Sequence, residues 1–176
     1  ACTIFSPLEG TAVPLSQVSD PMFAGGKLGQ GVAIEPTVGK LVAPADGKIT
    51  VTFPSHHAYA IRTKDPAVGN IDILMHIGFD TVNLKGEHFT SHVTKGDEVK
   101  RGDILAEFDI DAIEAAELSV TIPVVVSNLK KTGPVIPTEA FRPGELIGSG
   151  TDIFTVDPKS AVVPAQTASP ASESAS

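Results

Sequence analysis

Apolar residues recur along the chain in short runs, many alternating with polar positions, and Gly, Pro and Asp break the runs every few residues. That period-two pattern predicts strands over residues 31–34, 40–42, 47–53, 57–61, 71–77, 104–109, 121–127 and 152–156. No long helical periodicity alternates with them, so the pattern predicts an all-β domain, an antiparallel β-sandwich or distorted barrel, rather than a parallel α/β sheet. One short helix is expected over 110–117, with Ile113 and Leu118 docking while Glu114 and Glu117 face water. From Lys159 onward the chain is mostly Ala, Ser, Pro and Thr with almost no large apolar residue. Such a segment offers too little to bury to offset its ordering entropy, so residues 159–176 are expected to be a disordered tail or linker. Residues 1–158 form the domain.

The segments His57-Ala58-Tyr59-Ala60-Ile61 and Ile71-Asp72-Ile73-Leu74-Met75-His76 flank the turn residues Asp65-Pro66 and Gly69-Asn70. Folded symmetrically about Pro66 and Ala67, this hairpin sets Ile61 opposite Asp72, Tyr59 opposite Leu74 and His57 opposite His76. Directly opposed residues share a sheet face with Cβ atoms about 4.5–5.5 Å apart. A one-residue slip would send the rings to opposite faces, so the expectation hangs on register parity. In this register His56 faces away from the pair.

The formal charge of −8, with 21 acidic against 13 basic side chains, excludes a nucleic-acid or anionic-membrane surface as the main business of the chain. It favours a basic partner. A single cysteine, Cys2, rules out an internal disulfide. No apolar run reaches membrane-spanning length, and the N-terminus lacks the pattern of a secretion signal, so a cytoplasmic location is expected. Contact with a membrane would come only through a permease partner or fused permease domains.

Several stretches together carry a family resemblance. They are Ser6-Pro7-Leu8-Glu9-Gly10, Gly29-Gln30-Gly31-Val32-Ala33-Ile34, Val42-Ala43-Pro44-Ala45-Asp46-Gly47, and above all Leu74-Met75-His76-Ile77-Gly78-Phe79-Asp80-Thr81-Val82-Asn83-Leu84-Lys85-Gly86. Pro123-Val124-Val125-Val126-Ser127-Asn128 follows later. Over roughly residues 4–156 the chain resembles the glucose-type IIA phosphocarrier domain of the bacterial phosphoenolpyruvate-dependent sugar phosphotransferase system. The resemblance implies an antiparallel β-sandwich and a phosphotransferase component. His76 would carry the phosphoryl group as a tele-phosphohistidine, and His57 would support transfer by hydrogen bonding to the phosphoryl group. It implies a donor similar to the phosphocarrier protein HPr, an acceptor IIB domain of a sugar permease, and regulatory protein targets. Ser55 stands where relatives usually carry threonine beside the supporting histidine. Phe23, Phe53 and Val82 match apolar positions around the site where partners dock, whereas Lys27 falls where that ring is usually apolar.

The chemistry fits those residue types. Imidazole is substantially neutral and nucleophilic near its pKa of about 6.5. The attacking nitrogen must be unprotonated, so the other ring nitrogen is expected to donate to a backbone carbonyl or similar acceptor. Phosphoryl transfer is mainly positioning plus electrostatics, so no cofactor is required beyond the transient phosphoryl group. Asp80 either orients a donor or meets a basic residue of the partner, or else is a turn carboxylate capping Val82 or Asn83. Phe23 and Phe53 have ordinary core as their alternative. Gly78 allows a close approach or marks a bulge. His88 and His92 read as solvated loop residues.

Three other readings compete with this one. His57, His76 and Asp80 could hold zinc, adventitiously or at a partner interface, but no histidine follows His92 to complete a peptidase-type site. Val99-Lys100-Arg101-Gly102-Asp103-Ile104-Leu105 resembles a stretch of biotinyl and lipoyl carrier domains, yet no lysine has the setting of a modified one. A non-catalytic regulatory module is the third. The sugar, and whether the domain is free-standing or part of a longer permease, stay open.

Overall fold

The computed structural model describes residues 2–18, 20–52, 58–78, 88–117, 119–128 and 131–158. The strands are β1 (Cys2–Phe5), β2 (Gly10–Pro14), β3 (Gln30–Pro36), β4 (Lys40–Val42), β5 (Gly47–Thr52), β6 (Ala58–Asp65) and β7 (Gly69–His76), then β8 (Phe89–Ser91), β9 (Glu98–Val99), β10 (Ile104–Phe108), β11 (Ile122–Val126), β12 (Val135–Pro137), β13 (Leu146–Ile147) and β14 (Asp152–Val156). Among the described residues two short α-helices, α1 (Pro21–Ala24) and α2 (Ile110–Ala115), and a 3-10 turn over Leu15–Gln17 interrupt them. The large sheet runs β13-β2-β3-β11-β7-β6-β5-β9, and two three-stranded sheets run β1-β14-β12 and β4-β10-β8. The strand pairings are antiparallel throughout the described residues, as the sequence predicted.

One contiguous core lies between the sheets. β7 shows how the pattern specifies it: Ile71, Ile73 and Met75 are buried, while Asn70, Asp72, Leu74 and His76 point to the other face. Tyr59 and Ile61 from β6, and Val124 and Val126 from β11, join the same core. β11 is buried along its whole length because its outer face is covered too, which is why it reads as an unbroken apolar run. Its Pro123 pairs with Ala33 of β3 but falls beyond the ladder with β7, so its missing N–H leaves that ladder intact.

The β6–β7 hairpin corrects the expected register. Asp65 pairs with Gly69, so three residues rather than two form the tip, and every opposed pair shifts by one. Ala58, not His57, stands opposite His76; Tyr59 faces Met75 and Arg62 faces Asp72. The cause lies at the turn. The Asp65 carboxylate accepts from the N–H groups of Ala67 and Val68 at 2.9 and 3.0 Å, and Gly69 supplies a φ of +92°. That three-residue closure with glycine in a left-handed conformation is a common hairpin alternative to the two-residue turn. The strands also run further into the expected loop, and Arg62 grips Asp72 with two hydrogen bonds of 2.7 and 3.0 Å.

α2 matches the expected helix in its first turns. Asp109 accepts from the Ala112 N–H as its N-cap, and Ile113 is the buried contact; Leu118 lies outside the described residues. Short edge strands such as β1, β9 and β13 were not anticipated, and neither was α1. The segment 159–176 also lies outside the described residues.

Candidate functional site

β7 delivers His76 to the outer face of the large sheet at the end of a strand fixed on both sides. Beyond the ladders to β6 and β11, Asn128 ties the strand down: its side-chain oxygen accepts from the Asp72 N–H at 2.9 Å and its amide donates to the Asn70 carbonyl at 2.9 Å. Opposite His76 is Ala58, whose small side chain leaves the ring space.

After β7 the chain turns at Gly78, whose φ of +73° is one that other residues resist. This turn brings the Gly78 carbonyl back to the imidazole, and His76 Nδ1 donates to it. A carbonyl has no proton to give, so the hydrogen is on Nδ1, and in the neutral ring the lone pair is left on Nε2. The ring therefore presents a nucleophilic nitrogen of defined identity on a half-buried side chain.

The surroundings are apolar. Phe23 of α1 packs against His76 edge-to-face, with ring centroids 5.9 Å apart and planes at 61°. Phe23 and Val125 centre a second buried cluster on the outer face of the sheet, with Leu15, Val18, Leu28 and Leu74 packed around them. Of the two readings the sequence left open for Phe23, docking residue or ordinary core, its burial favours core. The side chain is 3% exposed, so it belongs to the interior, and a protein partner has almost none of it to touch. Its neighbour Met22 is 45% exposed and is an apolar residue that α1 does present. The sequence signal for this arrangement was available in Asp20-Pro21. Asp20 caps the helix by accepting from the Met22 N–H at 2.8 Å, and Pro21 starts it.

Of the remaining sequence-derived candidates, His57, Ser55, Phe53, Asp80 and Val82 lie outside the described residues. His92 Nε2 sits 2.9 Å from Glu107 on the surface. His88 lines a groove of about 750 Å³ with Phe89, Glu107, Phe108 and Asp109, a groove that His76 does not line. Both histidines thus belong to surface features remote in role from the Nε2 site. Among the described residues no group of three or more His, Cys, Asp or Glu side chains is arranged to hold a metal. Among them, too, no helix is long and apolar enough to cross a membrane.

Residues 2–132 match the family described as phosphoenolpyruvate-dependent sugar phosphotransferase system, EIIA 1. The chain belongs to that family. It is 44% identical over 126 residues to a glucose-specific EIIA component of Oceanobacillus iheyensis, covering 72% of this chain and 74% of that protein. It is 46% identical over 156 residues to a mannose-specific EIIBCA component of Corynebacterium glutamicum, covering 89% of this chain and 22% of that protein. A beta-glucoside-specific EIIBCA component of Halalkalibacterium halodurans is also 46% identical, over 136 residues, and there the match spans 21% of the relative. The chain thus corresponds to about a fifth of the length of these fused relatives. Among solved structures, the glucose permease IIA of Mycoplasma capricolum superposes with a TM-score of 0.73 at 34% identity, covering 86% of this chain and 93% of that one. The EIIA domain seen here is therefore a phosphotransferase-system component with the IIA β-sandwich, of a type that occurs both separately and joined to B and C components.

Proposed function

We propose that His76 Nε2 of this EIIA domain accepts a phosphoryl group from the phosphohistidine of an HPr-like carrier protein and passes it to the IIB domain of a glucose-type sugar permease. The observation that carries the reading is the Nδ1–H to Gly78 carbonyl hydrogen bond, which leaves the Nε2 lone pair as the nucleophile. In the acceptance step Nε2 forms a bond to phosphorus while the donor's N–P bond breaks and its electron pair returns to the donor ring. Charge then develops on the His76 ring, and the Nδ1–H bond to Gly78 strengthens as it does so. In the onward step His76 is the leaving group, and the same hydrogen bond holds the departing ring in place.

In this scheme His57 donates to a phosphoryl oxygen, a role that rests on the family resemblance and not on the hairpin register, which sets Ala58 opposite His76. Such a contact is of the kind worth about 2.7–4 kcal/mol where preorganised donors meet developing charge. Ser55 and Asp80 would orient groups near the phosphoryl, and Phe53 and Val82 would join Met22 on the apolar docking surface. Regulatory proteins that read the phosphorylation state would use the same surface. The transient phosphoryl group is the only non-protein group the transfer requires. The domain comprises residues 1–158, the segment beyond serves as tail or linker, and any membrane association comes through the permease.

The test is phosphorylation of wild type, His76→Gln and His57→Gln by phosphoenolpyruvate and the upstream proteins. His76→Gln should accept nothing while remaining folded. His57→Gln should accept phosphate yet pass it to the IIB domain poorly. Acceptance by the His76 variant overturns the assignment.

A further inference from the structure

The cluster that holds Phe23 is unusual in its location. It lies on the outer face of the large sheet, apart from the main core, and one of its sides abuts the imidazole of His76. α1 has four residues, far too few to persist alone, and its place depends on burying Phe23. The chain invests in that placement. Asp20 caps the first turn, the Gly25 N–H returns to the Pro21 carbonyl, and the Gly26 N–H returns to the Phe23 carbonyl. Gly26, at φ +76°, then turns the chain away. The result is an aromatic ring packed in a cluster with Val125 and with Leu74, which shares β7 with His76.

Two of the contacts that His76 makes bear on its aim. Nδ1 is bound to the Gly78 carbonyl, which sets the rotation of the ring about its own axis. Phe23 occupies the space on one side of the ring, which limits how far the whole imidazole can swing from the strand. Each of these contacts limits a different motion of the ring, and both favour one direction for Nε2.

Resting on the proposed role of His76, we infer that Phe23 is a positioning residue for phosphoryl transfer: it acts through the imidazole and not through the partner. A docking residue would have to be touched, and at 3% exposure Phe23 is not. Proximity and orientation are what phosphoryl transfer most needs from the protein, so loosening the ring should slow chemistry without weakening association.

The experiment compares Phe23→Leu and Phe23→Met with wild type. Both variants keep an apolar side chain in the pocket and remove the aromatic edge. Long-range nitrogen–proton NMR of the imidazole reads the His76 tautomer and its exchange without any phosphate present. Single-turnover phosphorylation by the phosphorylated carrier separates the limiting rate from the half-saturating carrier concentration.

Wild type should show one Nε2-lone-pair tautomer with sharp signals, and the variants a mixture or exchange broadening. Their limiting rate should fall about threefold to tenfold with half-saturation unchanged. A raised half-saturation with an unchanged rate would make Phe23 a docking residue and overturn the inference. So would unchanged imidazole signals and an unchanged rate. If neither variant folds, wild type decides alone, since exchange-broadened imidazole signals there would contradict a held ring. The NMR readout does not depend on phosphate, so a failure of His76 as the acceptor remains distinguishable from a failure of Phe23 as its support.

Discussion

Gly78→Ala probes the link between backbone conformation and ring chemistry. At φ +73° an L side chain sits in the left-handed region, where a Cβ crowds the following carbonyl and costs about 1–2 kcal/mol. The variant has two ways to respond. If it keeps the conformation, stability falls by that amount, which for a domain of this size lowers Tm by roughly 2–8 °C. If the turn relaxes to negative φ, the Gly78 carbonyl swings away and Nδ1 loses its acceptor. A net hydrogen bond of about 0.5–1.5 kcal/mol then no longer favours the Nδ1–H tautomer, and the population with the lone pair on Nε2 shrinks. Since about 1.4 kcal/mol is a factor of ten, phosphorylation should slow about twofold to tenfold. Melting curves, imidazole NMR and single-turnover phosphorylation of the same variant separate the two responses. A variant with a changed tautomer and an undiminished rate would refute the idea that the Gly78 carbonyl prepares the nucleophile.

Other outcomes follow from particular contacts. Tyr59 is fully buried, and among the described residues its hydroxyl makes no hydrogen bond of good geometry, while the nearby Ser91 hydroxyl donates to the Val93 carbonyl at 2.9 Å. Tyr59→Phe should therefore stabilise the domain by about 1–2 kcal/mol, seen as a higher Tm, and an unchanged or lower Tm would mean the hydroxyl is satisfied in solution. Burial also pushes the Tyr59 phenol up from its ordinary value of 10.0, with a smaller opposing effect from Ser91. The unfolded chain then loses its proton first as pH rises, so this contribution to stability is whole below about pH 10 and is lost above it. Tyr59 is the chain's one tyrosine, so tyrosinate absorbance reports it alone, and titration at the ordinary value would contradict the burial argument. Phe23→Asp should lower stability by more than about 3 kcal/mol, because it empties a buried site and places a charge there. A normal melting curve with weakened carrier binding would put Phe23 on the surface after all. Truncation after Pro158 should leave both Tm and phosphate acceptance unchanged, and a large fall in Tm would mean that the tail packs on the domain.

Much of the architecture was legible because strands with one buried face write a period of two into the sequence. β4 and β14 appear with the predicted bounds, and β7 sends Ile71, Ile73 and Met75 inward as the alternation implies. Two-residue strands such as β9 and β13 leave no such trace, since two positions cannot show a period. The hairpin register was missed for a different reason. Asp65-Pro66 and Gly69-Asn70 both signal turns, and only the side-chain hydrogen bonds of Asp65 decide that the tip holds three residues. Parity then moves Ala58 into the place opposite His76. His76 itself stood out through the family segment around it, whereas the Gly78 acceptor depends on a backbone dihedral that sequence does not display. Phe23 shows the limit of reading apolar residues as surface or core. Only the position of α1 over Val125 and Leu74 reveals that its ring is interior and its neighbour Met22 is exposed.

The most direct test of phosphoryl transfer through His76 is the intact mass of the protein after incubation with phosphoenolpyruvate and the upstream phosphotransferase proteins. Wild type should gain one phosphoryl group that is lost in acid and located on His76 Nε2, and His76→Gln should gain none. A stoichiometric, acid-labile phosphoryl group on the His76→Gln protein would place the acceptor elsewhere and contradict the mechanism.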